Sequence, residues 1–231
     1  MRLVLVHGSV ANGPAAWSEQ RSLADRVELV VWNRPGYPPG PPLDRIDFDD
    51  QAAELAGLLR PGDHLCGHSY GGVIALLAAA RADGVASLTV VEPPAFSVAR
   101  GDPAVEAFLA RFEAFRAQGP HSPEEYLRGF LPLVGSPFAV PDPLPRALEQ
   151  GARAAMAERL PWEAEIPLDE LAATSLRTLV VSGGHGPALD AVCDVLERRL
   201  GAERAVVSGQ GHSIPRLGEP FNRVLVGFLG V

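Results

Sequence analysis

Six short runs rich in β-branched residues recur along this chain, and most of the gaps between them carry helical spacing. The runs are LVLV (3–6), VELVVW (27–32), HLCG (64–67), SLTVVE (87–92), TLVVSG (178–183) and RAVVSG (204–209). Most are continuously apolar instead of alternating, the pattern of strands covered on both faces. Between them, FDDQAAELAGLL (48–59), YGGVIALLAAARA (70–82) and PALDAVCDVLERRL (187–200) read as helices, and FNRVLVGFL (221–229) closes the chain as another. Strand and helix in alternation predict an α/β fold, with a mostly parallel central sheet flanked by helices.

The alternation breaks once. From Pro93 to Ser175 the sequence has helical patterns and no convincing strand, and the stretch is too long for a simple connection. AVEAFLARFEAFRAQ (104–118) repeats Val105, Phe108, Leu109, Phe112 and Phe115 at helical spacing. SPEEYLRGFL (122–131) begins with Ser122 as an N-cap and Pro123 at the first helical position. PRALEQGARAAMAERL (145–160) supplies a third helix. The expected organisation is a core of residues 1–92 and 176–231, interrupted by a helical cap, 93–175, over one end of the sheet.

Composition removes several kinds of chemistry. Apolar residues make up 47% of the 231, enough for the core of one domain. A net charge of −8 argues against a nucleic-acid partner, because phosphate binding needs a basic surface. All 20 basic residues are arginine, so Schiff-base chemistry, a P-loop lysine and a lysine base are excluded together. Cys66 and Cys193 sit in apolar surroundings and read as buried small hydrophobes, the usage of a reducing compartment. The N-terminal apolar run of MRLVLVHGS is too short for a signal peptide or a membrane span, and no later run is long enough to cross a bilayer. The expectation is a cytoplasmic protein that meets a small molecule and no membrane; monomer and homodimer both stay open. Its richness in Ala, Gly, Pro and Arg matches a GC-rich bacterial coding bias.

The residues that carry chemistry lie in Gly67-His68-Ser69-Tyr70-Gly71, between the strand HLCG and the helix YGGVIALL. A serine hydroxyl is a poor nucleophile unless it is held open to a base. A sharp strand-to-helix turn presents it that way, and the turn crowds the residues two before and two after, where only glycine fits. With its flanking context, this G-x-S-x-G resembles the nucleophile elbow of the α/β-hydrolase superfamily, as a serine member with a helical cap. His7-Gly8 after the first strand, Asn33-Arg34-Pro35-Gly36-Tyr37 after the second and Gly209-Gln210-Gly211-His212 after the last support the resemblance. The second of these often begins with aspartate in the family, and Asn33 departs from that.

The resemblance implies roles residue by residue. Ser69 would be the nucleophile and His212, in the loop after the final strand, its base. The backbone amide of Tyr70 would be one oxyanion donor, and that of Ser9 the second, with Val10 as the next choice. His7 would be structural, His68 would point away across the elbow, and His121 in the cap could touch substrate. The family usually carries its acid in the turn after the penultimate strand, but Gly183-Gly184-His185-Gly186-Pro187 offers glycine there. Glu92, at the end of the strand after the elbow helix, and Asp190, one turn into the next helix, are the alternatives; an absent acid is the third. Glu92 is favoured because a strand end is a rigid platform at the ligand edge of the sheet.

Other patterns take simpler readings. His64, Cys66 and His68 alternate along a buried strand and are core residues, not a metal set. Asp47, Asp49 and Asp50 complement a helix N-terminus. GGHG (183–186) is too short for dinucleotide binding. The aromatics Phe108, Phe112, Phe115, Tyr126, Phe130 and Trp162 are packing residues, some of which would line a pocket under the cap. The activity expected is cofactor-free and metal-free hydrolysis of a carboxylic ester, lactone or thioester. A non-hydrolytic biosynthetic reaction on the same fold, or a decayed binding protein, are the alternatives.

Overall fold

The computed structural model describes residues 1–231. Six strands form one sheet: β1 (Arg2–Val6), β2 (Glu28–Trp32), β3 (His64–His68), β4 (Ser87–Val91), β5 (Arg177–Ser182) and β6 (Glu203–Val206). They lie in the order β2-β1-β3-β4-β5-β6, and every neighbouring pair is parallel. The expected fold class and its strands are therefore present. The sixth expected strand stops early, at Val206, and this residue is 60% exposed. As an edge strand, β6 has a neighbour on one side only, and both edge strands, β2 and β6, are only partly buried.

The apolar runs serve both faces because successive side chains point opposite ways. Val4 and Val6 of β1, Leu65 of β3, Leu88 and Val90 of β4 and Val180 of β5 pack into one core cluster. There they meet α2 (Phe48–Leu58), α3 (Tyr70–Arg81) and α8 (Pro187–Leu200). Leu3, Leu5, Cys66, Val91, Leu179 and Val181 point the other way. They pack on Phe221, Leu225 and Phe228 of α9 (Glu219–Leu229) and on Trp17, which follows the one-turn α1 (Gly13–Ala16). Cys66 and Cys193 are buried and unpaired, and burial pushes both thiols well above their ordinary range.

Between β4 and β5 run α4 (Pro103–Ala117), α5 (Pro123–Leu133), α6 (Arg146–Met156) and the short α7 (Leu168–Ala173). Their starts follow local rules. Asp102 accepts from the amides of Ala104 and Val105, Ser122 accepts from Glu125, and prolines occupy the first turns of α4 and α5. Tyr126, Leu127 and Leu131 of α5 close with Ala152 and Ala155 of α6 onto Val10, in the loop after β1. The helical segment thus packs directly on a loop at the carboxyl edge of the sheet. No helix is long and apolar enough to cross a membrane.

Candidate active site

Four strand ends converge at that edge. Ser69 follows β3, Glu92 follows β4, Gly183 follows β5, and His212 lies in the loop after β6. Ser69 has φ 53° and ψ −126°, a positive-φ conformation that costs a non-glycine residue about 1–3 kcal/mol. Hydrogen bonds on both sides hold it: its N–H donates to Val91 O at 2.8 Å, and its carbonyl accepts from Gly72 at 2.7 Å. The turn is also tight. A Cβ on Gly67 would overlap the carbonyl of Gly71, and one on Gly71 would overlap the carbonyls of Val6 and His7. The glycine spacing read from the sequence is therefore a packing requirement.

Ser69 stands at the N-cap of α3, yet its side chain caps nothing. The hydroxyl faces His212 Nε2 at 2.8 Å, and His212 Nδ1 lies 2.7 Å from Glu92 Oε2. A carboxylate only accepts, so Nδ1 carries a proton and donates to it; Nε2 is left to accept from the serine. Glu92 is fully buried with φ 45°, its N–H bonded to Val181 O and its Oε1 accepting from Gly183 N at 2.6 Å. Burial pushes the Glu92 carboxyl up, but His185, His212 and the Gly183 amide outweigh it and bring the group down to about 2. It is a carboxylate at any ordinary pH.

Of the two carboxylates left open by the sequence, Glu92 meets His212. Asp190 makes no contact with His212 and instead meets Arg204, 3.6 Å away. The Tyr70 amide opens α3, among the helix's first N–H groups, which have no intrahelical partner. Neither the Ser9 nor the Val10 amide donates to a backbone carbonyl, and Val10 has φ 74°. Ser9 and Ser69 border the same two clefts. His7 is buried and bridges loops, accepting from Arg34 N at 3.0 Å through Nε2 while Nδ1 donates to Gly8 O. Asn33 accepts from Gly13 N and donates to the carbonyls of Tyr37 and Pro38, so its amide serves the loop. His121 is exposed and borders neither cleft.

His68 differs from the sequence reading. It does not turn away: its ring lies 5.0 Å from that of His212, and its Nε2 donates to the His212 carbonyl at 2.8 Å. As the last residue of β3 it faces the loop after β6, because both strand ends open onto the same edge.

Ser69 sits where two clefts meet. One, of about 550 Å³, runs beneath α4, α5 and α6 and is walled by Phe96, Phe108, Phe112, Tyr126, Phe130 and Trp162. The other, of about 730 Å³, opens past Leu131, Leu148, Ser136, Ser213 and Arg216. Phe115, expected among the wall candidates, packs behind Phe112 and Tyr126 instead.

Three contacts at the site had no role in the sequence reading: the Arg34–Glu158 pair, the hydroxyls that meet Glu158, and His185. Arg34 is fully buried and pairs through Nη2 with Glu158 Oε1 at 2.6 Å. Tyr37 donates to the same oxygen at 2.8 Å, and the Ser9 hydroxyl donates to Glu158 Oε2. Glu158 lies 124 residues from Arg34, and no local spacing announces such a pair. The third is His185, beside Glu92. Glu92, His185 and His212 offer three ligand-type atoms within 4.8 Å of one another. Glu92 and His212 are already committed to each other and to Ser69, which leaves no open donor set for an ion.

The model of the alpha/beta hydrolase family matches residues 3–224. Among solved structures, an alpha/beta hydrolase from Sphaerobacter thermophilus superposes with a TM-score of 0.68 at 23% identity, over 99% of this chain and 92% of that one. A thermophilic esterase from Thermogutta terrifontis gives 0.72 at 23%, over 100% and 89%. MenH from S. aureus gives 0.71 at 18%, over 100% and 93%. At these identities the likeness is one of fold. No curated protein matches the chain.

Proposed function

The chain belongs to the alpha/beta hydrolase family, and from that premise we propose that it hydrolyses a small carboxylic ester, lactone or thioester through an acyl-enzyme on Ser69. The observation that carries this reading is the unbroken chain from Ser69 Oγ to His212 Nε2, 2.8 Å, and from His212 Nδ1 to Glu92 Oε2, 2.7 Å.

Ser69 Oγ attacks the carbonyl carbon while its proton passes to His212 Nε2. The imidazolium that forms is stabilised by Glu92, which also holds the ring in the correct tautomer. The carbonyl oxygen, now negative, takes the Tyr70 amide, reinforced by the α3 dipole, and the Ser9 amide, with Val10 as its alternative. Collapse of the adduct expels the alcohol or thiol, which takes the proton from Nε2. Water then enters, gives its proton to His212, and its oxygen attacks the acyl carbon; Ser69 leaves with the proton returned. Each step uses a protein group or water. Residues 93–175 act as the cap, and the aromatic cleft beneath it takes the apolar part of the substrate.

Reaction with a fluorophosphonate probe tests the nucleophile: wild type labels and Ser69→Ala does not. Turnover of p-nitrophenyl esters of graded chain length tests the reaction. Equal labelling of Ser69→Ala removes Ser69 from the mechanism. Labelling at Ser69 without turnover of any ester points to a non-hydrolytic reaction on the same residues.

A further inference from the structure

The turn after β5 holds no acid, but it supports one. His185 stands there with its ring wedged between two oxygens. Nδ1 is 3.3 Å from Glu92 Oε1, the carboxylate oxygen that does not face His212. Nε2 is 3.3 Å from the carbonyl oxygen of Val134, at the end of α5. Nδ1 is buried and makes no hydrogen bond, so its one polar neighbour is that carboxylate oxygen, at ion-pair distance. A neutral imidazole has one N–H and one lone pair, so either neutral tautomer would aim a lone pair at an oxygen. Only the doubly protonated ring turns no lone pair toward either oxygen and sets a positive charge beside the carboxylate.

We propose that His185 is a positioning residue for Glu92: as an imidazolium it fixes the rear oxygen of the carboxylate and ties the end of α5 to it. The proposal rests on the reading of Glu92 as the acid that orients His212. The charged surroundings agree. Glu92 faces the ring from β4 and Asp190 from α8; His212 lies 6.4 Å away, ring to ring, and Arg111 of α4 borders the same surface cleft. The contact with Glu92 holds the His185 pKa above its ordinary value, against the opposing effect of burial. The same segment touches the base as well: the His212 amide donates to Gly135 O at 3.2 Å, and the hydroxyls of Ser136 and Ser213 are 3.1 Å apart. Through His185 on one side and Gly135 on the other, the chain at the end of α5 thereby reaches Glu92 and His212 together.

The test is independent of turnover in its first arm. In Ser69→Ala protein labelled with ¹⁵N-histidine, both His185 nitrogens are expected to be protonated at pH 6, with a titration midpoint above that of a free histidine. Glu92→Gln should bring that midpoint back down, to the free value or below it. A single neutral tautomer at pH 6, or a midpoint indifferent to Glu92→Gln, overturns the proposal. In the second arm, fluorophosphonate labelling of wild type and His185→Gln is followed from pH 6 to 9. The His185→Gln protein is expected to label about tenfold slower at pH 6.5, with the gap closing by pH 9 as the wild type loses its imidazolium. A gap constant across this range marks a merely structural residue and overturns the proposal. Should wild type fail to label at all, the hydrolase reading fails while the titration still decides His185.

Discussion

His68 donates from Nε2 to the backbone carbonyl of His212 across 2.8 Å, so the residue before the elbow serine props the loop that carries the serine's partner. That bond needs only one ring proton. Burial, and then the neighbouring His212, lower the His68 pKa to about 3. Burial, and then Arg34, lower that of His7 as well.

These two rings make stability depend on mild acid. Unfolded, both titrate near ~6.5; folded, both stay neutral well below it. The unfolded chain therefore binds more protons as pH falls below about 6.5, and stability should drop steadily toward pH 3. Urea midpoints at pH 7.5, 6 and 5 should fall in sequence, and His68→Gln should flatten the trend. A midpoint unchanged from 7.5 to 5 would contradict the burial of neutral rings. Glu92 acts lower down: its contribution is complete above its unfolded value of about 4.5 and is lost as pH falls toward 2.

Glu92→Gln keeps the shape of the side chain but removes the acceptor that fixes the His212 tautomer. Ester turnover should fall by about 10³–10⁴-fold while the fold survives, as seen by circular dichroism. Asp190→Asn should stay within about twofold of wild type, because Asp190 faces Arg204. The reverse ranking of the two variants would transfer the acid role to Asp190.

Glu158→Ala would strand the buried guanidinium of Arg34 without its counter-charge. Removing one partner of a buried pair costs about 3–5 kcal/mol, and urea unfolding should register a loss of that order. The substitution also frees the Ser9 hydroxyl, so kcat should drop by more than in Arg34→Met at matched stability. Equal kcat for the two would leave Glu158 a structural role only.

Phe112 and Trp162 meet edge to face at 4.8 Å on the wall of the aromatic cleft. Trp162→Ala should raise KM for a butyrate or benzoate ester about tenfold and leave an acetate ester nearly unchanged, since the short acyl group does not reach it. Uniform loss across the series would place the acyl group in the other cleft.

Gly71→Ala tests the elbow as a packing device. Its Cβ would collide with the backbone carbonyls of Val6 and His7 at the end of β1, which cannot move aside as a side chain would. A loss of about 1–3 kcal/mol or more in unfolding free energy is expected, against near neutrality for Gly57→Ala, where nothing lies within 4 Å.

The sheet was legible because each strand declares itself locally: apolar runs that feed both faces, with turn residues between. The elbow was legible for the same reason, since its glycines, serine and helix are contiguous. His212 and Glu92 could be named as candidates because each lies past a strand end whose position the topology fixes. His68 was misjudged because its direction depends on a loop 144 residues away. Arg34 with Glu158 and His185 with Glu92 share that difficulty: each is a contact across the chain, and a single sequence carries no trace of which distant partner a polar residue will meet. The one hint was chemical, an arginine set within a loop of prolines, glycine and tyrosine that ends up wholly enclosed.

Glu92 is the first residue past β4, where the chain leaves the sheet for the helical segment that we propose as its roof. Whoever swaps that segment for another, in the laboratory or by recombination, inherits a splice site one peptide bond from the carboxylate that meets His212. Exchanges should therefore succeed only when the donor segment reproduces the first turn past residue 92, and re-siting the carboxylate in the turn after β5 would be the way to make roof and chemistry interchangeable.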